Sequence, residues 1–164
     1  MFTREEVDGL LKEPKYTDND LVDLRSTKII LVLHSRGDDK LKFRLHINRS
    51  KKIQIKLTCH HDFESVGLLR LDFYGRHRNP EGINERVPAF LHKYAGKDFG
   101  YNDHHIHVYV EGSDLEWAIP IVDHDFPIKQ IAGIGDIVNA IMNFQIEINL
   151  ETKLRFNLAT ICRR

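Results

Sequence analysis

The spacing that most invites a chemical reading is His105-Ile106-His107, one cluster among the 10 histidines of the 164-residue chain. In an extended strand successive side chains alternate, so residues two apart share a side and both imidazoles face the same way. Such a pair can exchange the roles of base and acid while an arginine stabilises a phosphorane-like oxyanion, which is the logic of RNA cleavage through the 2′-hydroxyl. On this reading Arg70, Arg76 or Arg78 holds the phosphate, Tyr109 positions it, and His77 lies close by. The catalytic set is then His105, His107, His77, Arg70 and Tyr109, with no cofactor. The same spacing also suits zinc, which takes three protein ligands plus water, or four; His105, His107 and His77 or Asp72 could supply three. A bare His-x-His also arises without function. His60, His61, His92, His104 and His124 fall at strand ends or in loops and read as surface or capping groups.

Lys plus Arg and Asp plus Glu are each 24, so no global field attracts nucleic acid, and contact with RNA or another phosphodiester would need a local patch. The two cysteines, Cys59 and Cys162, lie too far apart in sequence for a zinc ribbon and give no disulfide framework, which fits a reducing compartment. The charged N-terminus does not resemble a signal peptide, and no apolar run approaches the roughly 20 residues needed to span a bilayer. The expectation is a cytoplasmic protein with no membrane partner.

The elements that must position the histidines read as α+β: an antiparallel meander of about six strands flanked by an N-terminal and a C-terminal helix. Thr3 and Glu6 form a capping box, Phe2 can staple onto Val7, and Pro14 stops the first helix. Apolar residues 29–33 form a strand, and Arg36-Gly37-Asp38-Asp39 turns it into a second, where Leu41, Phe43, Leu45 and Ile47 alternate with polar residues. A third strand is expected to bury Ile53, Ile55, Leu57 and Cys59. A fourth runs from Leu68 to Tyr74; a fifth, His104 to Val110, pairs with a sixth, Leu115 to Ile121, whose Trp117 is core. Ile134, Ile137, Val138, Ile141 and Phe144 mark one face of an amphipathic helix. One domain spans 1–164, with a core at about 27–146 and an inserted loop at about 83–103; the tail from Glu147 reads equally as strand or helix.

If neighbouring strands share faces, Lys42, Arg44, His46, Lys56, Arg70, Asp72, Tyr74, His105, His107 and Tyr109 lie on one polar side. Solvation alone selects Lys, Thr, Glu and Arg rather than paired histidines and tyrosines. A single bulge would flip part of this set. The turn Arg76-His77-Arg78-Asn79-Pro80-Glu81-Gly82 could make an anion-binding loop. With the aromatic residues of the inserted loop it could equally form a protein-binding surface, of which Arg76, Arg78, Phe90, Tyr94 and Tyr101 are the candidates.

Leu69-Arg70-Leu71-Asp72, Gly75, His77-Arg78-Asn79-Pro80-Glu81-Gly82, His105 to Gly112 and Trp117-Ala118-Ile119-Pro120 together resemble domain-of-unknown-function family 6978, over about residues 41–146. The resemblance implies a small α+β protein of bacteria, phages and mobile elements, a setting rich in toxins and counter-defence proteins, and it names no activity. Two functions follow as expectations: a metal-independent, RNase-like phosphodiester-cleaving domain, or a non-catalytic, anti-CRISPR-like inhibitor that occupies a host defence protein. A zinc site at His105 and His107 is the further alternative.

Overall fold

The computed structural model describes residues 1–158. Helix α1 (Arg4–Lys12) begins with the expected capping box: the Glu6 amide donates to the Thr3 hydroxyl and the Thr3 amide to the Glu6 carboxylate. After Pro14 the chain makes the short strands β1 (Lys15–Tyr16) and β2 (Leu21–Asp23). The meander then runs β3 (Lys28–Ser35), β4 (Lys42–Arg49), β5 (Leu57–Phe63) and β6 (Val66–Phe73). A covering segment follows, with β7 (His77–Arg78), a 3-10 helix (Ala89–Tyr94) and β8 (Asp98–Phe99). Strands β9 (His105–Val110) and β10 (Asp114–Pro120) complete the sheet, and α2 (Ile134–Glu147) and β11 (Arg155–Asn157) follow.

The main sheet has seven antiparallel strands in the order β1-β3-β4-β5-β6-β9-β10. The strand beyond the expected six is β1, whose two residues pair with the end of β3 and are too few to show an alternation. β11 runs parallel to β2, which gives part of the unassigned tail its structure.

One face of the sheet is apolar but for His61 of β5. Leu31, Leu33, Phe43, Leu45, Ile47, Leu57, Cys59, Leu71, Ile106 and Trp117 join Val7 of α1 and Ile137, Ile141 and Phe144 of α2 in one buried cluster. Cys59 is buried and free, as its place in this series requires, and burial pushes its thiol pKa up; Cys162 lies outside the described residues. The buried Lys15 ammonium donates to the carbonyls of Leu10, Leu11 and Glu13 at the end of α1 and of Ile148 just after α2. These are helix-end acceptors with no intrahelical partner, and Lys15 ties the two helices together.

Three strand readings change. The third strand begins at Leu57 because the Ser50 hydroxyl accepts the amides of Lys52 and Ile53 and folds that stretch into a turn. Ile53 is therefore exposed and Lys56 lies off the sheet. The strand also runs on to Phe63, so His60 and His61 sit mid-strand rather than at a strand end. Tyr74 falls just past β6 at φ 59°, its amide donating to His104 Nδ1, and so leaves the polar face. No helix among the described residues is long and apolar enough to cross a membrane.

Candidate metal centre

The register of β5, β6 and β9 builds the site. Asp72 stands directly opposite His105, and Arg70 opposite His107, across the β6–β9 pair; Thr58 stands opposite Asp72 on the other side. Because the two histidines are two residues apart on one strand, both reach the same carboxylate. Nε2 of His107 lies 3.0 Å and Nε2 of His105 3.8 Å from Asp72 Oδ2. The three potential ligand atoms all lie within 4.8 Å of one another, and all three residues are buried.

Backbone carbonyls fix the orientation of both rings. His105 Nδ1–H donates to Asp103 O at 2.7 Å and His107 Nδ1–H to Leu115 O at 2.8 Å. With Nδ1–H so committed, the Nε2 atom of such a ring, when neutral, carries a lone pair. Neither buried Nε2 makes a hydrogen bond, the 3.0 Å approach of His107 to Asp72 included. Burial pushes the His105 pKa down to about 4, so its Nε2 is unprotonated at neutral pH. Burial alone would raise Asp72, but the His107 imidazole, the Arg70 guanidinium and the Thr58 hydroxyl outweigh it and hold the carboxyl well below the usual carboxylate range. Arg70 donates Nε to Oδ2 at 2.8 Å and Thr58 its hydroxyl to Oδ1 at 2.7 Å. The unprotonated His105 Nε2, the His107 Nε2 and an anionic oxygen thus converge where nothing else from the protein separates them, an arrangement that a proton on His107 Nε2 or a cation between the three atoms relieves.

The covering segment roofs this point. Phe99 and His77, paired across β7 and β8, place their rings 4.6 Å from His105 and 4.5 Å from His107. His77 commits Nε2 to Glu116 O and Asn79 Oδ1, at 2.9 and 3.1 Å. It packs over the pair, and Asp72 rather than His77 offers the third potential ligand atom.

His105, His107, His77 and Arg70 are therefore brought together, whereas Tyr109 is not. Its hydroxyl donates to Phe2 O, 2.6 Å away, at the end of β9 near the register shifts of the β5–β6 and β9–β10 pairs. Of the surface candidates, Arg76 lies 4.5 Å over exposed Tyr101. Arg78 is paired with Asp98 and Glu81, and Phe90 is exposed beneath Arg4. Tyr94 is buried, its hydroxyl on Asp123. Sequence reasoning missed Phe99 as a wall of the site and the pair His60 and Asp62 on the same sheet face; carrying the Leu57, Cys59 alternation on to Phe63 would have found the pair.

Fold and site define an antiparallel-sheet protein with a buried two-histidine, one-carboxylate cluster on the sheet's polar face. A family model matches residues 2–150, and the chain belongs to that family, a family of unknown function (DUF6978). The match takes in α1 and the covering segment as well as the strands. No curated protein and no solved structure matches the chain.

Proposed function

We propose that this is a metalloprotein whose centre takes one divalent transition metal, with zinc the best fit to the donor set, through His105 Nε2, His107 Nε2 and Asp72 Oδ2. The observation that carries the reading is the pair of buried, unpartnered imidazole nitrogens facing a carboxylate oxygen. Their Nδ1–H groups are held by carbonyls, the outer-shell pattern of metal-ligating histidines. Three protein ligands leave a position for water, and a bound divalent ion lowers the pKa of that water. Arg70, whose side chain is 44% exposed beside Asp72, supplies the positive charge that a phosphodiester substrate needs. Hydrolysis of such a substrate is the activity that best suits the centre.

The metal-free reading has the adjacency of His105, His107 and Arg70 in its favour; like metal-assisted hydrolysis, it needs the roof of His77 and Phe99 to lift before a substrate reaches the centre. The binder reading is favoured by two exposed arginine–aromatic pairs, Arg76 on Tyr101 and Arg4 on Phe90, residue types that dominate interface energetics. Chelator-stripped protein titrated with zinc should take up one tight equivalent, and Asp72→Asn or His107→Gln should weaken it by more than about a hundredfold. Zinc uptake unchanged in both variants would refute the centre. In a labelled-RNA assay, chelator-sensitive cleavage supports metal-assisted hydrolysis. Chelator-resistant cleavage lost in His105→Ala and His107→Ala would restore the metal-free mechanism.

A further inference from the structure

The geometry points to a small-ligand subsite beside the centre, and we propose that it holds one nucleotide of the phosphodiester substrate. The subsite is a cleft of about 300 Å³, with Lys97, Phe99, Asp103, His104, Pro120 and Lys129 in its lining. The inference rests on the phosphodiester reading of the metal centre and adds where a nucleotide sits.

The donors of the cleft are set before a ligand arrives. The Tyr74 amide donates to His104 Nδ1 at 3.1 Å, so in the neutral ring Nε2 carries the hydrogen. Burial lowers the His104 pKa and keeps that ring neutral near pH 7. His104 is only 9% exposed, and its Nε2–H meets no acceptor among the described residues, so solvent or a ligand in the cleft must receive it. Lys129 Nζ is fixed by the carbonyls of Ile121 and His124, at 3.2 and 3.1 Å, and keeps one N–H free. Lys97 Nζ lies 5.4 Å from the centroid of the Phe99 ring. Neither ammonium pairs with a carboxylate among the described residues. The one acid in the lining, Asp103, accepts the Gly100 amide through Oδ2 at 2.9 Å. Two cations against one anion give the cleft a net positive charge.

These donors come from both chain segments that line the cleft, which suits the oxygens of a phosphate better than the planar pair of a carboxylate. Pro120, Ile121 and Val122 supply an apolar surface for the base. The volume stands at the lower end of small-ligand sites, about 300–1,000 Å³, and so suits one nucleotide rather than a longer strand.

The cleft also adjoins the centre. Phe99 places its ring 4.6 Å from His105, Asp103 O accepts His105 Nδ1–H, and Pro120 stands directly opposite His105 across β9 and β10. A nucleotide seated there touches three residues that flank a metal ligand. Phe99 is a wall of both spaces, so the lifting of the roof that admits a substrate to the centre also joins the cleft to it.

Adenosine monophosphate is the probe, titrated calorimetrically into the full-length protein, with adenosine and inorganic phosphate as its two halves. It should bind at one equivalent, more tightly than either half, and shift the His104 nitrogen resonances. Val122 is 69% exposed at the cleft, so Val122→Asp should leave the melting temperature unchanged and abolish binding by setting a carboxylate against the phosphate. Lys97→Gln/Lys129→Gln should weaken binding by about tenfold or more. Both variants should take up zinc as wild type does. No saturable binding, or binding unchanged in both variants, would overturn the subsite, and phosphate binding as tightly as the nucleotide would overturn its occupant. Nucleotide binding by a wild type that takes up no zinc would sink the metal centre and leave the subsite standing.

Discussion

His105, His107 and His61 are all buried histidines whose Nδ1 meets a backbone carbonyl and whose Nε2 finds no partner, yet only the first two face a carboxylate. His61 points to the apolar side, where its ring stacks on Phe43 and burial, helped by the Lys15 charge, pushes its pKa down to about 3. The unfolded chain releases the same proton near 6.5. Between those values the unfolded state binds more protons, so stability is held above about pH 6.5 and falls as pH drops towards 3. One such group contributes up to about 1.4 kcal/mol per pH unit. Urea unfolding at pH 7.5 and 5 should show a smaller acid loss in His61→Phe than in wild type. Parallel losses would mean that His61 titrates alike in both states.

At the scale of elements, the roof depends on Asn79. Its amide nitrogen donates to Tyr94 O and Ala118 O, and its oxygen accepts from Ala118 N and His77 Nε2, which fastens the covering segment to β10. Asn79→Ala strands these buried groups and should cost about 2–4 kcal/mol, with a further loss of zinc affinity as His77 and Phe99 loosen. Thermal melts and zinc titration check both effects; an unchanged melting temperature would show that the segment is held elsewhere. From sequence, Asn79-Pro80 reads only as a turn, because its partners lie 15 and 39 residues away and long-range partners leave no periodic trace. The period-two strands β4, β6 and β9 are legible because one face of each is continuously apolar, and with them the shared side of His105 and His107. The start of β5 is not, since Ile53 and Ile55 continue the alternation while the Ser50 hydroxyl bends the chain. His60 and Asp62 were hidden because His60-His61 reads as the end of that strand, which runs on to Phe63.

Across the whole molecule the polar face runs from open to closed. Ile30, His46, His60, Arg70, His107 and Ala118 stand opposite one another strand by strand, from an exposed isoleucine at one end to a buried alanine at the other. Residues 83–103, read from sequence as an inserted loop, bury Val87, Leu91, Tyr94 and Phe99 and close the face at the β9–β10 end. Replacing them with a short Gly-Ser turn should both uncover the centre and destabilise the fold by several kcal/mol, since roughly 2–5 kcal/mol accompanies the loss of each large core side chain. A variant that melts with wild type and keeps full zinc affinity would contradict that. The most direct test of the account is a crystal structure of the zinc-loaded protein with anomalous data at the zinc edge. It should show a peak about 2.0–2.2 Å from His105 Nε2, His107 Nε2 and Asp72 Oδ2 together; zinc bound only elsewhere, with these three atoms joined by a hydrogen bond from a protonated His107, would contradict it.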